Sequence, residues 1–180
     1  MTATGSTPAA ADWPPTAPIR TARLVLRPSE ARDRPGFVEL FSSPEVGARI
    51  GGARPRAEVE AAMPEVPARR PGALVAELDG EMIGLVTLEA RDPTRPDQVR
   101  PEAGGSELGY LFLPGAWGRG YAAEACAAAL DRFAAARPGE RVVLCTRVDN
   151  APALRLAQKL GFTELERFEA YGAEQWFGVR

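Results

Sequence analysis

The chain contains no histidine, and Lys159 is its only lysine among 22 basic residues. The absence of histidine excludes a mechanism that needs a histidine base, a Ser-His triad and a histidine-rich metal site. Only two cysteines are present, Cys126 and Cys145, and they lack the CxxC spacing of a zinc site. No metal is therefore expected. The sequence favours two buried free thiols, while a disulfide between them stays open.

Long apolar runs are also absent, since none approaches the roughly 18 residues of a membrane helix. The first residues, MTATGSTPAAADWPPTAP, show neither the basic nor the apolar segment of a signal peptide. We therefore expect a cytoplasmic protein with no membrane partner. The formal net charge of −2 lacks the basic excess of nucleic-acid-binding proteins, so no nucleic-acid partner is expected either. A monomer or a homodimer fits these features.

The length of 180 residues fits one domain. Residues 1–18 are rich in Ala, Pro and Thr, which predicts a flexible tail before a single domain over residues 19–180. Residues 91–106 combine three prolines, two glycines and alternating charges, which indicates a loop that is either a mobile flap or disordered.

The remaining patterns predict strands and helices in alternation. Strands are expected at TARLVLRP, on both sides of the turn dipeptide Asp79-Gly80, at ELGYLFLP, at RVVLCTRV and twice after Gly161. Helices are expected around residues 37–41, 58–63 and 120–137 and after the N-cap Asn150. In the third helix the expected apolar face is Ala122, Cys126, Ala129, Leu130 and Phe133. This order predicts an α+β or α/β domain with a mixed sheet.

The segment LPGAWGRGYAAEA joins a predicted strand to the third helix and contains Gly115, Gly118 and Gly120. A glycine turn before a helix presents free backbone N–H groups at the positive end of the helix dipole, which suits a phosphate. A P-loop needs Lys followed by Ser or Thr, which the segment lacks. Residues 118–123 match the dinucleotide pattern G-x-G-x-x-A literally, but residues 114–117 separate them from the strand. Acyl-coenzyme A, whose pyrophosphate needs the same cradle, is the third ligand considered.

The segments ELGYLFLPGAWGRGYAAEA and NAPALRLAQKLGF together resemble the GNAT superfamily of acetyl-CoA-dependent N-acetyltransferases. The similarity is closest to the branch that includes the ribosomal-protein N-terminal (alanine) acetyltransferases. TARLVLRP resembles the opening strand of that branch, and DGEMIGLVTL resembles its central hairpin. The resemblance implies a GNAT-like α+β fold, with a central mixed, mostly antiparallel twisted sheet flanked by helices. It also implies that the sheet splays between the fourth and fifth strands.

The resemblance also implies a binding site for acetyl-CoA as cosubstrate. The family's pyrophosphate motif falls here on Trp117, Gly120 and Ala122, so that the cradle is formed by Trp117, Gly118, Arg119, Gly120, Tyr121 and Ala122. The strand residues Leu111, Phe112 and Leu113 would pair with the pantetheine arm as an added strand. Asn150 matches the family's coenzyme-contacting asparagine and is equally well explained as a helix N-cap. Arg119 or Arg155 would reach a coenzyme phosphate, or would be an ordinary surface arginine.

The catalytic residues expected from the resemblance are few. Glu107 matches the glutamate that begins the branch's E-I-G-Y segment and is the candidate general base, with a structural salt bridge as the other interpretation. A backbone N–H near Phe112 or Leu113 would stabilise the oxyanion. Ala157 stands where the family often has a tyrosine acid. Either Tyr110, Tyr121 or Tyr171 takes over this role, or the thiolate leaves without help, since an ordinary thiol has a pKa of about 8.5.

The function implied is transfer of an acetyl group to a primary amine by direct attack in a ternary complex. The acceptor would be a small molecule or a protein N-terminus, and the acidic residues Glu102, Glu107, Glu169 and Glu174 suit a cationic amine. A non-catalytic acyl-CoA-binding sensor or interaction module is the alternative, because of Ala157. A nicotinamide-dinucleotide binder rests on residues 118–123 alone.

Overall fold

The computed structural model describes residues 13–92 and 94–180. The strands are β1 (Ile19–Arg20), β2 (Val25–Arg27), β3 (Ala73–Leu78), β4 (Glu81–Ala90), β5 (Ser106–Phe112), β6 (Val142–Arg147), β7 (Thr163–Ala170) and β8 (Ala173–Val179). The α-helices are α1 (Arg34–Ser42), α2 (Pro44–Gly47), α3 (Arg56–Ala62), α4 (Tyr121–Ala136) and α5 (Ala151–Lys159). None of the described helices has the length and apolar character of a membrane span.

All these strands form one sheet in the order β1-β2-β3-β4-β5-β6-β8-β7. Every neighbouring pair is antiparallel except β5 and β6, which run parallel and pair only at Ser106 with Val142 and at Glu107 with Val143. The pairing of β4 with β5, in contrast, continues to Phe112. Strands β5 and β6 therefore separate beyond Glu107, which leaves a gap in the middle of the sheet. These are the strands counted as fourth and fifth from the sequence, because the two-residue β1 precedes them.

The two faces of the sheet carry different helices. Helices α4 and α5 cover one face, where Ala125, Cys126 and Leu130 of α4 pack with Leu108 and Phe112 of β5. Helices α1 and α2 cover part of the other face, where a second apolar cluster includes residues of β3 and β4 and, at its edge, Leu111 and Leu113. Alternate residues of β5 thus point to opposite faces, as the period of a strand requires. The gap beside β5 is consequently accessible to side chains from both layers.

Most of the predicted elements are confirmed, with local differences. Helix α4 buries Ala125 in place of the expected Ala122, which is only half-buried and turns toward the gap. Helix α2 was not predicted. Its signal was the sequence Ser43-Pro44, since the Ser43 hydroxyl accepts a hydrogen bond from the Val46 amide and proline suits the first helical position.

Both cysteines are free thiols, as predicted, but only Cys126 is fully buried and Cys145 is partly exposed. Helix α5 begins at Asn150, whose carboxamide oxygen accepts from the Ala153 amide, as expected of an N-cap. It ends with the amide of Phe162 bonded to the carbonyl of Ala157 and the amide of Gly161 bonded to the carbonyl of Gln158. These two bonds are those of a glycine-ended helix terminus.

The N-terminal segment is packed from Trp13 onward. The Trp13 indole donates to the carbonyl of Leu88 at 3.1 Å, and its ring meets the edge of Phe133 with the centroids 5.4 Å apart. This part of the predicted tail therefore contacts β4 and α4. Residues 1–12 lie outside the described residues, and the division into a tail and a single domain stays a prediction.

Candidate active site

The free edge of β5 faces the gap in the sheet. The Leu113 amide donates to the carbonyl of Ile83 on β4 at 2.9 Å, and the Arg91 amide donates to the carbonyl of Gly105 at the other end of the same strand pair. In an antiparallel pair every second residue directs its N–H and C=O groups to the partner strand, and the residues in between direct theirs to the opposite side. Gly105 and Leu113 bond to β4, so the odd-numbered residues between them face β4 and the even-numbered ones face away. The N–H groups of Tyr110 and Phe112 therefore point into the gap. Two backbone N–H groups were expected as oxyanion donors, those of Phe112 and Leu113. The prediction for Leu113 is wrong, because its N–H is bonded to Ile83, whereas the N–H of Phe112 faces the gap.

Trp117 covers the outer end of this edge. Its indole Nε1–H donates to the carbonyl of Phe112 at 2.8 Å, while 43% of the residue stays exposed. The carbonyl of Phe112 is thus already paired, and its amide is directed toward the gap. Trp117 positions the end of β5 as well as forming part of the wall.

The glycine turn leads directly from Trp117 into α4. Gly118 and Gly120 have φ values of 72° and 79°, a conformation that a residue with a Cβ adopts only at a cost. Gly120 is the N-cap of α4 and has no side chain that could bond the first-turn amides. The first-turn residues Tyr121, Ala122 and Ala123 line the cavity described below. An anion there meets backbone N–H groups and the positive end of a sixteen-residue helix.

Arg23, on the turn before β2, supports this turn from outside. Its guanidinium lies over the Tyr121 ring, 4.5 Å from the centroid, and its Nη1 donates to the carbonyl of Arg119 at 3.0 Å. Glu124 of α4 accepts from the Thr21 hydroxyl and from the amide and Nε of Arg23. These hydrogen bonds hold the pKa of Glu124 below its usual range, and the bond from Thr21 contributes most to the lowering. Glu124 therefore has a structural role, since it fastens α4 to the turn before β2.

A cavity of about 440 Å³ lies between the free edge of β5, the glycine turn and the first turns of α4 and α5. Its volume lies within the range of small-molecule sites. Nine of the residues selected from the sequence line it: Tyr110, Leu111, Phe112, Trp117, Gly118, Gly120, Tyr121, Ala122 and Asn150. Three others, Glu107, Leu113 and Arg119, do not.

Val46 of α2 and Arg49, two residues after that helix, also line the cavity, although neither was among the predicted coenzyme-binding residues. Arg155, one of the two arginines considered for a phosphate contact, also lines the cavity. Arg49 also lies near Asp149, just before the N-terminus of α5. The pKa of the Asp149 carboxyl is lowered mainly by its hydrogen bond with Arg147 and to a smaller extent by the charge of Arg49. Both layers that flank the sheet thus contribute a cation to this site.

Tyr110 lines the cavity, and its hydroxyl group is buried and has no hydrogen-bond partner among the described residues. Burial raises the pKa of Tyr110 well above its usual value, with the neighbouring Cys126 thiol adding to the effect, so the phenol stays protonated. Ala157, at the position where the family often has tyrosine, is fully buried in the core and does not line the cavity.

Glu107 lies at the closed end of the gap, on the face opposite Tyr110. Gln98 donates to its carboxylate at 3.4 Å, and the Arg95 guanidinium lies 4.0 Å from the same oxygen. Burial raises the pKa of Glu107, and the charge of Arg95 opposes that rise. A carboxylate with a raised pKa, next to the gap, has the properties of a general base.

The segment of residues 91–105 covers Glu107. Among its described residues, Arg91 donates to the carbonyls of Val99, Arg100 and Gly104 at 2.5 to 3.2 Å, and its guanidinium lies 5.2 Å from the Phe177 ring centroid. The sequence correctly indicated irregular structure, but Arg91 ties the segment to the sheet. On the same side, burial raises the pKa of Cys145 to about 12, so this thiol is protonated and a poor nucleophile.

Comparison with known proteins identifies this arrangement. A family model described as an acetyltransferase (GNAT) domain matches residues 23–163. A GNAT-family acetyltransferase from Bacillus anthracis superposes with a TM-score of 0.71 at 20% identity, covering 91% of this chain and 98% of that chain. An acetyltransferase from Agrobacterium tumefaciens gives 0.69 at 25% identity, covering 91% and 94%.

A ribosomal L7/L12 alpha-N-protein acetyltransferase in complex with coenzyme A gives a TM-score of 0.66 at 17% identity, covering 91% of this chain and 97% of that chain. At this identity the similarity shows the fold. The match of the family model to residues 23–163 shows the family. The chain therefore belongs to the GNAT family of acetyltransferases and is an N-acetyltransferase.

Proposed function

We propose that the protein transfers the acetyl group of acetyl-CoA to a primary amine by direct attack in a ternary complex. One observation carries the proposal: a single cavity joins the α4 N-terminus to the free edge of β5, and a buried carboxylate, Glu107, lies at the closed end of that gap. An anion cradle, a peptide-like binding edge and a base are the parts that this reaction needs. The amine class follows from the family.

The residues present fit the coenzyme. First-turn amides of α4 from Tyr121 onward would hold its pyrophosphate, and the open main chain of Tyr110 would bond the amides of its pantetheine arm. Arg155 and Arg49 are placed to neutralise further phosphate charge. When bound, the coenzyme supplies an acetyl group activated as a thioester.

Glu107 removes the proton of the acceptor amine. Because its side chain points to the opposite face from Tyr110 and does not line the cavity, we expect the proton to reach its carboxylate through a water molecule. The Phe112 amide, directed into the gap, donates to the oxygen that gains negative charge during attack. Tyr110 donates to the departing sulfur, since its buried hydroxyl is protonated and unpaired.

A non-catalytic acyl-CoA-binding module is the second candidate. The observation that favours it is Ala157, which leaves the usual position of the acid in the hydrophobic core. Such a module would share the coenzyme site and lack turnover. Glu107 separates the two candidates, because binding of the coenzyme does not need it.

The first test combines coenzyme binding with turnover in Glu107→Gln. We expect calorimetric titration to show acetyl-CoA and coenzyme A binding, and no NAD binding, equally in the wild type and the variant. With a panel of primary amines, kcat of the variant should fall by about 10²- to 10⁴-fold, the usual contribution of a general base. Glu81→Gln, an exposed glutamate at the start of β4, is the matched control.

The outcomes of this test are distinct. Turnover by the wild type with loss in Glu107→Gln supports the enzyme with Glu107 as base. Coenzyme binding with no acetylation of any amine supports the non-catalytic module. NAD binding without acetyl-CoA binding would overturn both candidates.

The glycine turn allows a sharper test of the cradle. Gly120→Ala forces an alanine into the left-handed region at φ 79°, which costs roughly 1–2 kcal/mol and distorts the start of α4. Gly115→Ala is the control, since an added Cβ there meets no atom within 4 Å and its φ is not positive. We expect the Kd for coenzyme A to rise about tenfold in Gly120→Ala, in line with about 1.4 kcal/mol, and to stay unchanged in Gly115→Ala. Equal affinities of the two variants would contradict a cradle at Gly120.

A further inference from the structure

Three charged residues beside the gap form what we call the loop cluster: Arg95, Asp97 and Glu107. The Arg95 guanidinium donates to Oδ2 of Asp97 through Nη2, and its Nη1 lies 4.0 Å from the Glu107 carboxylate. Both acids are largely buried, with side-chain exposures of 5% for Asp97 and 18% for Glu107. One arginine therefore serves two carboxylates that the protein has withdrawn from water.

The second carboxylate oxygen of Asp97 is left without a partner in the part of the chain that the structure describes. Oδ1 is buried and makes no hydrogen bond among the described residues. A buried acceptor left unpaired costs about 1–3 kcal/mol, and more when it carries charge. A ligand that donates to Oδ1 would remove this cost, so the atom marks a position where a donor is expected.

Arg95 is the displaceable member of the cluster. Its side chain is 47% exposed, whereas the acids it bonds are not, so its guanidinium can move into solvent without being buried elsewhere. The Tyr171 side chain, on the turn after β7, also interacts with it. Arg91, the other cation near Glu107, is committed to three loop carbonyls and the Phe177 ring.

We propose that Asp97 forms a second-cation subsite of the acceptor site, in which a positively charged group of the acceptor takes the place of Arg95. The acceptor class is then a primary amine that carries a second ammonium or guanidinium group. Its reacting amine lies within reach of the water molecule that leads to Glu107, and its cation pairs with both oxygens of Asp97. The inference rests on the proposed function, since it concerns the acceptor of the same reaction. Asp97 is a specificity-determining residue here, and Arg95 acts as a built-in competitor.

Two kinds of acceptor carry such a second positive charge: a small diamine, and a protein N-terminus followed by a basic residue. The probes are chosen to distinguish them. Pentylamine and cadaverine have the same carbon chain and differ by one ammonium group. The peptides Ala-Gln-Ala and Ala-Arg-Ala differ by one guanidinium. Binding of each probe is measured by calorimetry with the protein saturated with coenzyme A, which needs no turnover. The ratio of kcat/KM values is measured separately with acetyl-CoA.

In the wild type we expect the doubly charged probe of at least one pair to bind at least about tenfold more tightly than its singly charged partner, as expected of one desolvated charge pair. Asp97→Asn keeps the shape of the side chain and should abolish the difference by weakening the doubly charged probe alone. Arg95→Gln removes the competitor and should strengthen the same probe. Asp131→Asn, an aspartate of α4 whose side chain is 75% exposed, is the control for loss of one negative charge and should behave as wild type.

The outcomes separate this inference from the proposed function. Acetylation of amines without preference for a second charge in either pair overturns the subsite and leaves the proposed function standing. A preference that survives in Asp97→Asn also overturns it. Preference in the cadaverine pair alone assigns a small diamine, and preference in the peptide pair alone assigns a protein N-terminus. Failure of the wild type to bind coenzyme A overturns the proposed function, and the subsite with it.

Discussion

Two clusters of one arginine, one aspartate and one glutamate flank the same sheet, and they differ in how completely their charges are paired. The first, which we call the strand cluster, consists of Arg27, Asp33 and Glu77. Arg27 binds both oxygens of Asp33 at 2.7 and 2.8 Å and donates through Nε to Glu77. The side chains of Arg27 and Asp33 are only 6% and 2% exposed. Asp33 also accepts from the Glu30 amide, so both of its oxygens are paired.

The loop cluster contains the same three residue types, but its charges are incompletely paired. Arg95 reaches one oxygen of Asp97, leaves the other buried and unpaired, and is itself half-exposed. The strand cluster fastens β2 to β3 and to the turn before α1, away from the cavity. The loop cluster lies at the gap where β5 and β6 separate. Identical residue types thus form a structural joint in one place and an incompletely paired candidate site in the other.

Removal of the aspartate charge should have its largest effect in the strand cluster. Asp33→Asn removes the bidentate partner of the buried Arg27 and leaves Glu77 as its main counter-ion. We expect the free energy of unfolding to fall by about 3 kcal/mol, the lower end of the cost of breaking a buried ion pair. Asp97→Asn removes a pair whose cation can turn to solvent, and should cost no more than about 1 kcal/mol. Urea denaturation of both variants measures the two losses. Equal losses would show that completeness of pairing does not distinguish the clusters.

A smaller effect is expected from pH, because the pKa values of Asp33 and Glu107 are shifted in opposite directions. In Asp33 burial acts to raise the pKa, but the hydrogen bonds from Arg27 and the Glu30 amide outweigh it and hold the pKa below its usual value. The native state thus binds this proton less tightly than the unfolded chain, and the stability from Asp33 is lost as the pH falls. Burial raises the pKa of Glu107, so its contribution is present at acidic pH and is lost as the pH rises through that value.

The measurement is the unfolding free energy of the wild type, Asp33→Asn and Glu107→Gln between about pH 3 and 7, a range that includes the ordinary pKa values of aspartate and glutamate. Acid should destabilise Asp33→Asn less than the wild type. It should destabilise Glu107→Gln more than the wild type, because the favourable protonation of Glu107 is gone. Parallel curves for all three proteins would contradict the assigned pKa directions.

The parts of the site that could be predicted from the sequence depend on neighbouring residues. The glycine turn and the N-cap at Asn150 each involve bonds within a few residues, and the structure confirms their local geometry. The direction of the Leu113 amide could not be predicted, because it follows from the register of β5 against β4. The approach of Arg95 to Glu107 depends on the path of an irregular loop, for which the chain carries no periodic signal.

By itself the sequence determined the order of most elements, with β1 and α2 missed, and the glycine turn before α4. Through the resemblance that these segments carry, it also determined the family. Only the tertiary structure decided which amide of β5 faces the gap, that Trp13 packs on the sheet, and which oxygen of Asp97 is left unpaired. The physical reason is range. Backbone conformation and helix capping are set by a few consecutive residues, whereas pairing and burial of a charge depend on residues brought together from distant parts of the chain.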